Sequence, residues 1–455
     1  MELILEKISQ KDHRLEPLAN TVMSSLKLHE LVFSVFSFSM ALALILIEDI
    51  LMVRAKNMDD RCNCPFCSSP LESKGMIDRF MITMIGEIHW KRRVRRCKNG
   101  CKTGLIAPFD DELGIKANQR TSFEVKYMGC LLAIFLPYKI AASLLGKLLC
   151  VNVSDSAIWN WVQEAGEKAI RNLQTELEQL SKGQGPNPEQ LTAEIENLPL
   201  VIGGDGVMAP FRPNGGNPEG KTVWKEVKVG IVARVGKRIT KTGKQVNVIV
   251  RKRVVAVLGT VDEFKPVLWL ISVKEGIVQC PTVVWLSDGG KGFWRIFREC
   301  YSSFATGILD FYHAVQNVWK GAKVWLDGRT KKALSWFECA RKRIRYNRAR
   351  GVINELRSVL ATDQLTEQGQ EALEKLTNYL LNHTDHMKYD DYKNLGLPIG
   401  SGIVESTCKW LIQQRFKGVG MRWSENGFVL LCSLRVAWVN ESFDELFYED
   451  YAPPK

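Results

Sequence analysis

The stretch that decides the fold is "LPLVIGGDG", residues 198–206, an apolar run that ends on an Asp-Gly pair. Branched aliphatic residues followed by glycines read as a buried strand closed by a turn. Four later runs share that texture: "WKEVKVGIVARV" (224–235), "VNVIVRKRVVAVLG" (246–259), "TVVWLSDGG" (282–290) and "FATGILDF" (304–311). Between the third and fourth runs, "VDEFKPVLWLISVKEG" (261–276) carries apolar residues at helical spacing. Residues 197–320 therefore read as three strands, a helix, a strand, a helix and a strand. That order predicts an α/β sheet with an antiparallel start and a parallel finish.

Two of these strands end in a carboxylate, Asp205 in the first and Asp288 in the fourth. Each then sits at the sheet rim, where the following glycines let a phosphodiester backbone approach closely. If the first strand lies beside the fourth, as in the sheet order of a ribonuclease-H-like fold, the two acids would face each other and repel unless a cation lay between them. Hard divalent ions, Mg²⁺ or Mn²⁺, suit oxygen ligands. A pair of such ions about 4 Å apart serves in-line phosphoryl transfer.

A third acid stands alone in "GLPIGSGIVESTCKWLIQQRFKGVGMRW", residues 396–423. After a Gly-Ser-Gly turn this segment opens a helix in which Glu405 is the only acid up to Trp423. The helix is expected to run on through "GFVLLCSLRVAWVN" (427–440). Lys409, Arg415, Lys417 and Arg422 follow Glu405, as Lys291 and Arg295 follow Asp288. A further basic run, "RKRIRYNRAR" (341–350), contributes Arg341, Lys342, Arg343 and Arg345 to an expected track along a DNA backbone.

The chain carries 62 Lys+Arg against 50 Asp+Glu, a net charge of +12, which favours a polyanionic partner. Five of its twelve cysteines fall between Cys62 and Cys101. The other seven are scattered in apolar contexts, the pattern of a cytoplasmic protein with one metal site rather than a disulfide scaffold. Cys64-x2-Cys67 and Cys97-x3-Cys101 have the layout of a zinc ribbon, with Cys62 as an alternative to Cys64. Four thiolates leave no open position, so this zinc is expected to be structural. Lys91, Arg92, Arg93, Arg95 and Arg96 lie beside it and suit phosphate contact.

Downstream, "YKIAASLLGKLLCVNVSDSAIWNWVQEAGEKA" (138–169) reads as a helix, a short turn and a second helix capped by Ser154 or Asp155. In a helix-turn-helix, Ser156, Asn160 and Gln163 would face the bases. An ordinary helical hairpin is the alternative. No signal-peptide layout opens the chain. The charge-free run 31–47 has acids close at both ends and reads as a buried or oligomer-packing helix rather than a membrane span.

"GGDGV", "SDGGKGFW", "LDFYHA" and the Glu405 segment together resemble the DDE transposases of bacterial insertion sequences, over roughly residues 60–440. The similarity is to a cyanobacterial-type group related to the Mutator-like superfamily. It implies a ribonuclease-H-like core whose metal-binding triad is Asp205, Asp288 and Glu405, with a helical insertion ahead of the glutamate. It also implies that Asp310-x2-His313 matches that superfamily's Asp/Cys-x2-His signature, close to the site or touching DNA. On this reading the chain divides into an N-terminal helical region (1–58), a zinc-ribbon-like module (59–110), a helix-turn-helix-like region (111–180) and a linker (181–199). The core follows in two parts (200–325 and 397–455), split by the helical insertion (326–396). The expected activity is cleavage at element ends and strand transfer into target DNA. The expected partners are double-stranded DNA and further copies of the chain, since synapsis needs at least two; no small-molecule substrate or membrane is expected. A silent DNA-binding derivative and a nuclease without strand transfer remain as alternatives.

Overall fold

The computed structural model describes residues 12–58, 63–101, 104–149, 151–213, 219–362 and 365–447. Cys62, the alternative zinc ligand, lies outside the described residues. The chain forms two compact units, one through Glu164 together with Phe447, the other from Ala165 to Leu446.

In the first unit, α1 (Glu16–Ser24) packs on α2 (Leu28–Asn57) through Leu15, Ala19, Val22, Phe38 and Ile45. The antiparallel hairpin β1 (Leu71–Thr83) and β2 (Gly86–Cys97) follows. Its Ile88 and Trp90 share a core with Leu51 and Ala55 of α2. The buried Glu48 fixes that docking: Oε1 accepts the His89 amide at 2.8 Å and Oε2 accepts Arg14 Nη1 at 2.8 Å. Run 31–47 is therefore not a buried helix as a whole. It buries one face and exposes the other.

Three helices close this part: α3 (Phe123–Ala133), α4 (Tyr138–Leu149) and α5 (Asp155–Ser181). Ser154 caps α5, its hydroxyl accepting the Ala157 amide at 3.1 Å. Helix, turn and capped helix fall where the sequence placed them. The first residues of α5 belong to the first unit and the rest to the second.

The second unit is built on a five-stranded mixed sheet. Its strands are β3 (Leu200–Phe211), β4 (Val223–Ile239), β5 (Gln245–Leu258), β6 (Val283–Ser287) and β7 (Ala305–Leu309), in the order β5-β4-β3-β6-β7. β3, β4 and β5 pair antiparallel, whereas β6 and β7 run parallel to β3. The crossover from β5 to β6 is α6 (Val261–Lys274), capped by Thr260 in a reciprocal box with Glu263. Its Phe264 and Leu268 are fully buried, worth about 1.5–3 kcal/mol each. Between β6 and β7 lies α7 (Lys291–Ile296), continued by a π-helical turn over Phe297–Tyr301. Segment 181–199, expected as a linker, is tied to this unit: Glu189 binds the Arg253 guanidinium at 2.6 Å and its amide donates to the Lys274 carbonyl at 2.8 Å.

After β7 come α8 (Phe311–Trp325) and the insertion: α9 (Lys331–Arg345), α10 (Ala349–Leu360), α11 (Glu367–Asn382) and α12 (Tyr389–Asn394). The buried sets Ala349, Val352, Ile353, Leu356 and Leu373, Leu376, Thr377, Leu380 follow one helical face each. The chain then returns through α13 (Gly402–Thr407), which continues as a π-helical stretch over Cys408–Gln413 and a final turn at Gln414–Phe416.

The expected single long helix stops there. Gly420 takes φ +74°, Trp423 pairs with the end of β3 through Pro210 and Arg212, and Ser424 caps a separate α14 (Glu425–Val439). Pairing Trp423 with β3 satisfies backbone groups that a continuous helix would have left on the strand.

Candidate active site

β3 and β6 run parallel only as far as the pair Gly203 and Leu286. Asp205 and Asp288 each lie two residues beyond that pair. The expectation that Asp205 ends its strand is corrected: β3 continues to Phe211 because β4 still pairs with it there. What ends before Asp205, at Gly203, is the parallel partnership, which leaves that edge of β3 open.

α13 packs against β3 at the same level. A Cβ on Gly203 would lie 2.7 Å from Val404 Cγ2 and 2.5 Å from the Leu286 carbonyl, so only glycine admits the helix there. Glu405, one residue on, is thereby brought to the open edge. Asp205 Oδ1 accepts the Gly206 amide at 2.7 Å. Burial, then the charge of Asp288, push the Asp205 carboxyl above its ordinary range, and Glu405 adds to this while His313 opposes it. Asp288 Oδ1 accepts the Gly290 amide at 2.9 Å, and the Asp288 carbonyl accepts the Tyr379 hydroxyl of α11 at 3.3 Å.

Asp310, 1% exposed at the end of β7, is the hub behind these acids. Oδ1 accepts the His313 amide at 2.7 Å and so caps α8. Oδ2 accepts both the amide and the hydroxyl of Ser401, the residue from which α13 starts. His313 Nε2 in turn lies 3.0 Å from Glu405 Oε1. The ligand atoms of Asp310, His313 and Glu405 all lie within 4.8 Å of one another. Among the described residues this is the one such cluster that contains an acid, and neither Asp205 nor Asp288 belongs to it. Ser401 and Tyr379 carried no sequence signal, because each acts on a residue 91 positions away.

Several basic residues expected to touch DNA are occupied within the fold. Arg415 is 2% exposed, packed over Phe416 and Trp423. Arg343 pairs with Glu355, and Arg345 Nη1 donates to the Tyr389 carbonyl at 3.0 Å beside Phe311. Arg92 holds Asp110 at 3.1 Å, and Arg95 is buried. Arg295 pairs with Asp262 at 2.9 Å. Asp310, fully enclosed, cannot reach DNA. The cause is shared: a charged run fixes composition, but what packs on each helix or strand decides which of its members are enclosed.

Arg341, Lys342, Lys409, Arg93 and Arg96 remain exposed. Lys417 lies 5.3 Å from the Trp224 ring centroid, and Arg422 donates to the Gly220 carbonyl at 2.8 Å. Ser156 and Asn160 are exposed on α5, whereas Gln163 is half-buried, its Nε2 enclosed without a hydrogen bond.

In the first unit, the sulfurs of Cys64, Cys67, Cys97 and Cys101 also lie within 4.8 Å of one another. The first pair sits on a turn in which Ser68 takes φ 58° and the Cys64 amide donates to the Ser69 carbonyl; the second sits on a turn through Gly100. Hydrogen bonds from Ser69 lower the Cys67 thiol to about 6, while its thiol neighbours push Cys101 up to about 12. Four sulfurs at this separation fit a tetrahedral zinc ion.

No family model matches the chain. The UPF0236 protein in vanSb 3'region of Streptococcus gallolyticus is 27% identical over 379 residues, covering 81% of this chain and 74% of that protein. Among solved structures, the Drosophila P element transposase strand transfer complex aligns over 73% of this chain and 82% of that chain, at 11% identity and a TM-score of 0.27. A likeness that weak carries no argument, and the chain is similar to these proteins without being assigned to either.

Proposed function

We propose that the protein is a DDE-type DNA transposase with a ribonuclease-H-like catalytic core, acting in the bacterial cytoplasm. What supports this reading most is that Asp205 and Asp288 each lie two residues beyond the last parallel pair of β3 and β6, and that Asp205 feels the charges of both Asp288 and Glu405. Counted from β3, the sheet order is 3-2-1-4-5 with the first three strands antiparallel, which supports the core assignment. The Asp310-x2-His313 pair is what supports a Mutator-like relationship.

The three carboxylates offer only oxygen donors, and the charge of Asp288 already disfavours the ionised form of Asp205, so the set fits hard divalent cations, Mg²⁺ or Mn²⁺.

 Bound there, such ions would activate the attacking oxygen and stabilise the leaving one. The protein's own part is placement: His313 orients Glu405, and Asp310 anchors the two helices that carry them. Water attack at the element end would free a 3′-hydroxyl, which then attacks target DNA, both as in-line substitutions at phosphorus. Arg341, Lys342, Lys409, Arg93 and Arg96 supply exposed charge for the phosphate backbone. Cys64, Cys67, Cys97 and Cys101 would hold a zinc ion, which would stiffen the basic hairpin.

The test is Glu405→Gln, assayed on DNA carrying the sequences that flank the gene. The variant should lose Mg²⁺- or Mn²⁺-dependent cleavage by roughly a thousandfold or more while binding that DNA as before. Cleavage at the wild-type rate by the variant would end this reading.

A further inference from the structure

We propose that the exposed face of α2 is a homodimer interface, formed by two copies of the helix packed antiparallel. One face of α2 is committed to α1 and the hairpin. On the opposite face, Leu28, Val32, Phe36, Leu46, Ile50 and Val53 are 43–77% exposed. No charged residue interrupts α2 between Glu30 and Glu48. With Leu31 and Val35, these side chains present roughly 800 Å² of apolar surface, about one partner's share of a stable interface and above the patch of an ordinary monomer.

Among the described residues, α2 is the one helix long and apolar enough to cross a membrane. Its attachments argue against that occupant. Crossing would pull Glu48 from the His89 amide and Arg14, and strip Leu51 and Ala55 from Ile88 and Trp90. A second copy needs no such loss. The face is also nearly self-complementary about residue 41: Val32 falls opposite Ile50, Phe36 opposite Leu46, and the small Ser39 opposite Ala43, where two helices can cross closely. The interface is independent of the DNA chemistry proposed above.

Sedimentation velocity of the full-length, zinc-loaded chain without detergent tests it. The wild type should be a dimer. Val32→Glu and Ile50→Lys, both at exposed positions, should each weaken self-association roughly a hundredfold or more by burying an unpaired charge, with helix content and zinc stoichiometry unchanged. An equimolar mixture of the two variants should recover a dimer, because the introduced glutamate of one copy meets the introduced lysine of the other. A monomeric wild type, variants that dimerise like it, or a mixture that stays monomeric would each overturn the interface. Flotation of the wild type with phosphatidylcholine vesicles would also overturn it, making a membrane the occupant.

Discussion

Replacing Asp310 by asparagine separates a clamp from a DNA contact. Its carboxylate accepts three hydrogen bonds, from the His313 amide and from the amide and hydroxyl of Ser401, at a site 1% exposed. Asparagine keeps one acceptor oxygen and turns an NH₂ toward a donor on the other side. If the oxygen serves Ser401, α8 loses its cap at His313; if it serves His313, the start of α13 is released. Losing one charge-assisted bond and weakening the remainder costs about 2–4 kcal/mol. His313 rides on one of these ends and Glu405 on the other, so either release moves a residue of the site, and a shift of about 1 Å in a reacting group costs roughly a hundredfold in rate.

Asp310→Asn should therefore lower the denaturation midpoint and cut metal-dependent cleavage about a hundredfold, with DNA affinity preserved. Ser401→Ala should be milder, since the backbone amide still reaches Asp310; the lost hydroxyl bond is worth about 1–2 kcal/mol. Equilibrium denaturation, single-turnover cleavage and a binding titration on the same preparations make the comparison. An unchanged midpoint with wild-type cleavage would refute the clamp. Lost DNA affinity with an unchanged midpoint would make Asp310 a DNA contact after all.

Two further outcomes follow from buried chemistry elsewhere. Cys97→Ser should reduce bound zinc from one per chain to none by elemental analysis, and the β1–β2 hairpin should lose its hydrogen-exchange protection, because metal binding and local folding are linked; full zinc content in the variant would contradict the four-sulfur site. His383 is held neutral by burial first, then by the charge of His386, its imidazole lowered from 6.5 to about 4. The unfolded chain thus binds the extra proton between these values, so the stability contributed is full above pH 6.5 and falls, by up to about 3 kcal/mol, as pH drops toward 4. Hydrogen exchange over residues 367–394 should quicken from pH 7.5 to pH 5 after correction for intrinsic rates, and His383→Phe should flatten that change.

Local chemistry made much of this protein legible from its sequence. The five β-branched runs and the helix between the third and fourth fall where they were read, because strand and helix periodicity is written within each segment. The four cysteines converge because their spacing places each pair on a tight turn. Ser154 caps α5 for an equally local reason. Contacts between distant segments were decided only in three dimensions. Asp205 lies inside a strand because β4 outlasts β6 as its partner, and the Glu405 helix stops because Trp423 finds the end of β3. Asp310 becomes a clamp through Ser401, 91 residues away; Arg92, Arg343 and Arg345 find partners on other elements, and Arg95 and Arg415 are buried. The sequence by itself determined which residue types were present and in which local geometry. The tertiary structure decided which of them face solvent, since burial depends on what packs from elsewhere in the chain, and no local pattern encodes that.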